Sequence, residues 1–263
     1  MGQSAGMQQQ GWKSRKWLDP DARGGLRLTL AIVAGFILLV PFALGLVAVT
    51  DGWGPLRRLD LNVAHDLNRA AVAHPGLVTF LKVVSDVFSP TSFEVVAVLV
   101  GLLLLRRHSP RLAAWLVLTV VLTDPLDTLV KNAVARTRPT FPHAVETLTS
   151  YSFPSGHAFG SIVGVGALLL VGLPYVPSPW RRPLIALGVG VVLLVGYARI
   201  GLGVHYVSDV LGGWLIGLAW LAATTAAFRA WRRDLRRPTR PLEAGLEPEG
   251  PEPAGSSAAR REA

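Results

Sequence analysis

The chain has 263 residues, of which 51% are hydrophobic and only 16% charged, too little charge to cover the surface of a soluble domain of this length. Lysine and arginine (26) exceed aspartate and glutamate (17) by nine, but the basic residues cluster in short runs at the ends of apolar segments, which suits a membrane surface and not a nucleic-acid face. No cysteine is present, which excludes thiol catalysis, a disulfide framework and cysteine-ligated zinc.

In chain order, six segments have the apolarity to cross a bilayer, a task that takes roughly 20 helical residues. They are 28–49, 87–105, 112–130, 158–173, 184–198 and 210–228. The expected fold is therefore all-α: a polytopic membrane protein with six transmembrane helices, a cytoplasmic segment over 1–27, a membrane domain over 28–228 and a tail over 229–263. The second segment holds Pro90 and Glu94, and the third Asp124, Pro125 and Asp127. The fourth and fifth must extend into their flanks. A basic prelude precedes the first run, but that run is longer than the ~7–15 apolar residues of a signal peptide, so a retained helix is expected.

Four stretches rich in Lys or Arg (GWKSRKWLDPDARGGLR, RRHSPR, SPWRRP and RAWRRDLRRPTR) fall on one side of a six-span layout, and the positive-inside rule makes that side cytoplasmic. Both termini are then cytoplasmic. The opposite side carries Lys131, Arg136, Arg138 and Arg199 against the rule, and these exceptions need another reason. Within 50–86, Leu77, Phe80, Leu81, Val84 and Phe88 recur at helical spacing. Two readings stay open there: a helix lying at the interface, or the beginning of the second span. Residues 237–263 are rich in Pro, Glu and Gly without apolar periodicity and are expected to be disordered.

Three motifs fall on the outer side. In KNAVARTRP, Lys131 and Arg138 are seven residues apart, which on a continuing helix places them within about 20° of each other, with Pro139 as the terminator. Two aligned cations suit a phosphate, although they equally suit lipid headgroups as a snorkelling pair. In FPSGH, Ser155 is an N-cap residue and Gly156 allows close backbone approach, so the helix start can offer donors to an anion with His157 in its first turn; the plain alternative is a capped helix with an incidental histidine. In RIGLGVHYVSD, Asp209 follows His205 by four residues. A carboxylate there can fix the imidazole tautomer and support its charge, although such a pair is also an ordinary helix contact.

The conjunction K-x(6)-R-P, P-S-G-H, R-x(5)-H-x(3)-D resembles the type 2 phosphatidic acid phosphatase superfamily. That resemblance implies a phosphohistidine formed on His205, supported by Asp209, with His157 as acid and then base. It also implies phosphate ligands Lys131, Arg138, Ser155, Gly156 and Arg199. The family's third motif usually begins Ser-Arg, whereas Ala198 precedes Arg199 here. The expected activity is hydrolysis of a lipid phosphate or diphosphate: phosphatidic acid, phosphatidylglycerol phosphate or a polyprenyl diphosphate. The alternatives are a phosphotransferase with the same intermediate, or a non-catalytic lipid-phosphate binder or transporter. No cofactor or metal is expected, because three nearby cations would repel a divalent ion, and no nucleic-acid partner is expected. Asp127, four residues before Lys131, is expected to pair with it. Gly160 and Gly164 have the spacing that lets two helices pack closely.

Overall fold

The computed structural model describes residues 39–141, 145–231 and 245–246, and among them all regular structure is helical. α1 (Leu39–Thr50) meets α2 (Gly54–Ala73) at 83°, the break falling at Gly52, whose φ of 65° suits a residue without a side chain. The expected start of the first span lies outside the described residues. α2 holds Pro55 in its first turn, where the fixed φ of proline suits a helix start. Its buried stripe is Asp60, Ala64, Asn68 and Ala71, a 4-4-3 spacing that marks one helix face.

α3 (Pro75–Val87) and α4 (Pro90–Arg106) run on as one apolar unit of 32 residues, which resolves the open choice at 77–88: this stretch begins the second span. Ser89 caps α4 by accepting from Ser92 N at 3.2 Å. α5 (Pro110–Val121) and α6 (Thr123–Val134) form the third span, α7 (Gly156–Gly172) with a following 3₁₀ turn (Leu173–Tyr175) the fourth, α8 (Ser178–Gly201) the fifth and α9 (Val207–Trp231) the sixth. Among the described residues, five units are long and apolar enough to cross a membrane, or six with the bent α1–α2 pair.

α7 is the hub and touches α4, α5, α6, α8 and α9. Small residues make this possible, as the sequence suggests. A Cβ on Gly164 would fall 2.4 Å from the Phe93 ring, and one on Gly160 3.2 Å from Pro90. On the facing helix, a Cβ on Gly217 of α9 would fall 2.2 Å from Ile162. In lipid, where apolar tails remove most of the hydrophobic drive between helices, such close backbone approach supplies the packing that holds them together. Phe159, Val163 and Ala167 of α7 are fully buried in the resulting core with Leu112, Leu116 and Phe93.

Outward faces are apolar instead of polar. Leu99, Leu102 and Leu103 on α4 and Leu187, Val189 and Leu193 on α8 are all exposed, as expected of side chains whose solvent is hydrocarbon. The protein is a multi-pass membrane protein. The expected disordered tail lies outside the described residues except for Gly245 and Leu246. Leu246 departs from that expectation: it is buried in the core, and its N–H donates to Leu170 O at 2.6 Å.

Candidate active site

α4, α7, α8 and α9 each have one terminus at the same end of the bundle, and α6 ends there too. Lys131 stands in the last turn of α6 and donates to Asp127 Oδ2 at 2.6 Å, the ion pair expected from their spacing. Gly156, the first residue of α7, lies directly against this pair. A Cβ there would come within 2.7 Å of Asp127 Oδ2 and 3.3 Å of Lys131 Nζ, so only glycine admits the approach.

The helix does not carry Arg138 onto the same face as Lys131. α6 ends at Val134, Ala135 turns into the left-handed region (φ 51°), and Arg138 lies in a segment without regular structure. Two causes combine. The residue before a proline is steered away from helical geometry, and Arg136 O accepts from Ser152 N at 2.8 Å, tying the segment to the incoming strand of chain before α7. Arg138 still reaches the site, by another route.

Ser155 occupies the N-cap position of α7 but makes no cap bond. Its N–H donates to Asp209 O at 2.9 Å, which joins the second motif to the third, and its Oγ is buried without a hydrogen-bond partner. His157 follows in the first turn of α7, half-buried, against the backbone of Ser85 and within electrostatic reach of Arg199, His205 and Lys131.

Arg199 stands in the last turn of α8, almost fully buried. Its guanidinium donates to Ser85 Oγ at 2.5 Å and lies 3.6 Å from Glu146 Oε1, while its Nε has no partner. Ala198, where the resembled motif has serine, is fully buried in an apolar cluster with Leu81, Val84 and Val195, so its methyl contributes packing. Gly203 takes φ 75° and turns the chain so that His205 comes back over the site before α9 begins. His205 therefore precedes the helix, and its contact with Asp209 is not a helical i,i+4 pair. Its Nδ1 lies 3.4 Å from Asp209 Oδ2, longer than a normal hydrogen bond.

Arg138 donates to Ser150 O (2.7 Å), Ser150 Oγ (2.9 Å), Tyr151 O (3.0 Å) and Val204 O (2.7 Å), and its Nη1 is 3.1 Å from His205 Nε2. A guanidinium can only donate, so Nε2 must accept and the ring proton belongs on Nδ1, toward Asp209. Burial lowers the His205 pKa to about 4: desolvation and the charges of Arg138 and Arg199 outweigh the support of Asp209. The imidazole is neutral at ordinary pH, with its Nε2 lone pair facing the cations. Burial also lowers the Arg138 pKa.

Several contributors escaped the sequence reading. Arg136, noted there only as a cation on the wrong side, donates to Asp209 Oδ1 (2.5 Å), Asp60 Oδ2 (2.8 Å) and Ser208 Oγ (2.7 Å) and stacks over Tyr206. Burial opposes its charge, but Asp209 and Asp60 prevail and raise its pKa. Asp209 Oδ2 accepts from Tyr206 N at 2.8 Å, a reach-back bond that caps α9, and from Ser152 Oγ. A signal existed for Asp60: a carboxylate in the buried stripe of a helix demands partners.

All three motifs thus meet at one end of a helical membrane bundle, around two imidazoles and a group of buried and half-buried cations. The sequence pattern of the PAP2 superfamily matches residues 112–233, the stretch that holds every one of these motifs. Phosphatidylglycerophosphatase B of Bacillus subtilis is 41% identical over 107 residues, 39% of this chain and 52% of that protein. An undecaprenyl-diphosphatase of Sulfolobus acidocaldarius is 35% identical over 128 residues (46% and 57%), and a lipid A 1-phosphatase of Rhizobium johnstonii 32% over 124 (44% and 47%). The chain spans about half the length of these curated relatives. A crystal structure of a transmembrane PAP2 type phosphatidylglycerolphosphate phosphatase from Bacillus subtilis superposes with a TM-score of 0.68 at 20% identity, covering 77% of this chain and 98% of that one, and so shares its fold.

Proposed function

We propose that this protein hydrolyses a phosphate or diphosphate ester of a membrane lipid through a phosphohistidine on His205. The observation that carries the reading is the pair of buried, unpartnered donors, Ser155 Oγ and Arg199 Nε, beside an imidazole whose Nε2 bears the lone pair. Buried donors without acceptors are costly, and an anionic group with several oxygens satisfies them together.

His205 Nε2 attacks phosphorus, forming an N–P bond as the bond to the lipid oxygen breaks. Arg138 Nη1 moves from Nε2 to a phosphate oxygen as phosphorus takes the lone pair. Asp209 supports the positive charge that develops on the ring, and the long Nδ1 contact tightens at that point. His157 donates its proton to the departing lipid oxygen. It then takes a proton from water, which attacks phosphorus, and the N–P electrons return to His205 as phosphate leaves. Lys131, Arg138, Arg199, Ser155 and the first-turn N–H groups at Gly156 hold the nonbridging oxygens. With the phosphate charge met by these cations, the reaction needs no metal.

The substrate class follows from placement. A lipid can keep its tail against the exposed apolar faces of α4 and α8 while its headgroup enters at the helix ends. Phosphatidic acid, phosphatidylglycerol phosphate and polyprenyl diphosphates all meet this condition, and the named activities of the relatives fall in the same chemical class. The basic loops at the opposite ends of the helices support a cell-membrane protein with cytoplasmic termini and an outward-facing site. The test is purified full-length protein in detergent, assayed for phosphate release from these three lipids beside His205→Ala. Release from at least one, lost in the variant and unaffected by chelators, is expected. Release that survives in the variant contradicts the nucleophile, and the absence of release from all three contradicts the activity.

A further inference from the structure

α2 lies outside the three motifs, yet it places a carboxylate in the middle of them. Asp60 is 1% exposed, and both of its oxygens are engaged: Oδ1 accepts from Ser208 N (3.0 Å), and Oδ2 from Ser208 Oγ (2.5 Å) and Arg136 Nη2 (2.8 Å). Arg136 is thereby shared between two acids, one arm on Asp60 and the other on Asp209. Tyr206 covers the flat face of the guanidinium, its ring centre 4.4 Å from Cζ.

The charges have to be counted together. Arg136 with Asp209 alone is a neutral pair, and a carboxylate neutralised on one side has little charge left for the imidazole on the other. Asp60 supplies the second negative charge, so the buried group Asp60–Arg136–Asp209 carries a net −1 facing His205. In a buried setting this difference is poorly screened. The geometry is fixed as well. Arg136 holds Oδ1, while Ser152 and Tyr206 N hold Oδ2, so the carboxylate plane cannot rotate away from Nδ1.

We infer that Asp60 and Arg136 are positioning residues for phosphoryl transfer, orienting Asp209 against His205 and leaving its negative charge for the imidazolium that forms during attack. This inference rests on the reading of the site given above. A purely structural tie between α2 and α9 would use the same contacts, but it would not act through Asp209.

The test is a double-mutant cycle on the full-length protein in detergent micelles with phosphatidic acid, reading kcat and KM separately. Asp60→Asn keeps the shape and removes the charge, and it is expected to lower kcat about 30-fold with KM changed less than about 3-fold. In an Asp209→Asn background the same change is expected to cost less than about 3-fold, because the residue it acts through is already gone. Arg136→Lys keeps one charge but cannot span two carboxylates; it is expected to lower kcat about 10-fold and provides the same cycle should Asp60→Asn not survive purification. Equal losses in the two backgrounds, or an unchanged kcat in both single variants, overturn the inference while leaving the phosphatase reading intact. A wild-type protein that releases no phosphate from any of the three lipids removes that reading and the inference with it.

Discussion

The two sides of the site differ in how their polar atoms are used. Around Asp209 each carboxylate oxygen has a donor, and the donors come from the segment after α6, from the chain before α7 and from the start of α9. Around Ser155 and Arg199, Oγ and Nε are buried with no partner. On the saturated side the carboxylate is already held, and the His205 Nδ1 contact alone stays long at 3.4 Å. The unsatisfied side has donor capacity that suits an incoming anion. Preorganisation on one side and binding capacity on the other is the division of labour expected of a site that stabilises developing charge on a transferred group.

Substitutions break this contrast in a predictable order. On the proposed mechanism Asp209→Asn removes the support of the nucleophile and should lower kcat about 10³–10⁴-fold, by analogy with loss of the orienting acid in a hydrolase triad, with KM little changed. Arg199→Ala removes a proposed donor to the transferred group and should cost about 10²–10³-fold, as loss of one oxyanion donor does elsewhere. Asp127→Asn leaves Lys131 in place but frees its ammonium, and a loss of about 3–10-fold in kcat/KM measures how much the ion pair positions it. A fall of similar size for all three would erase the distinction between the two sides.

The pH profile tests the saturated side separately. On the proposed mechanism His205 must be neutral to attack, and burial keeps its pKa near 4, so kcat/KM should hold across mildly acidic pH and fall only as pH drops toward about 4. The same shift predicts that stability is fully held above the ordinary histidine pKa and weakens as pH falls below it, because unfolding then takes up a proton that the buried ring refuses. An acid limb at the ordinary histidine pKa would mean that His205 is not buried beside its cations.

The spans were legible because long apolar windows survive local irregularity, and the three motifs because each keeps its chemistry within a short stretch. Gly160 and Gly164 were legible for the same reason, since helix spacing alone tells that they share a face. What remained hidden depended on tertiary contact. α2 is periodic, but Asp60 and Asn68 stand in its buried stripe, so its apolar pattern looks broken until their partners are known. The common helix for Lys131 and Arg138 was a fair inference from spacing, and it failed because Ala135 leaves the helix and Arg138 precedes a proline. Ser155 looked like a capping residue and holds the N-cap position. Nothing local reveals that its hydroxyl forgoes the cap and stays unpartnered, or that its N–H turns to Asp209. The roles of Arg136 and Ser152 required the fold itself.

The most direct measurement is a rapid-quench experiment with phosphatidic acid labelled in its phosphate. A phosphohistidine on His205 predicts an early burst of acid-labile, alkali-stable label on the protein, present in the wild type and absent from His205→Ala, with phosphate release lost in parallel. Label that persists in His205→Ala, or phosphate released by that variant at the wild-type rate, would contradict it.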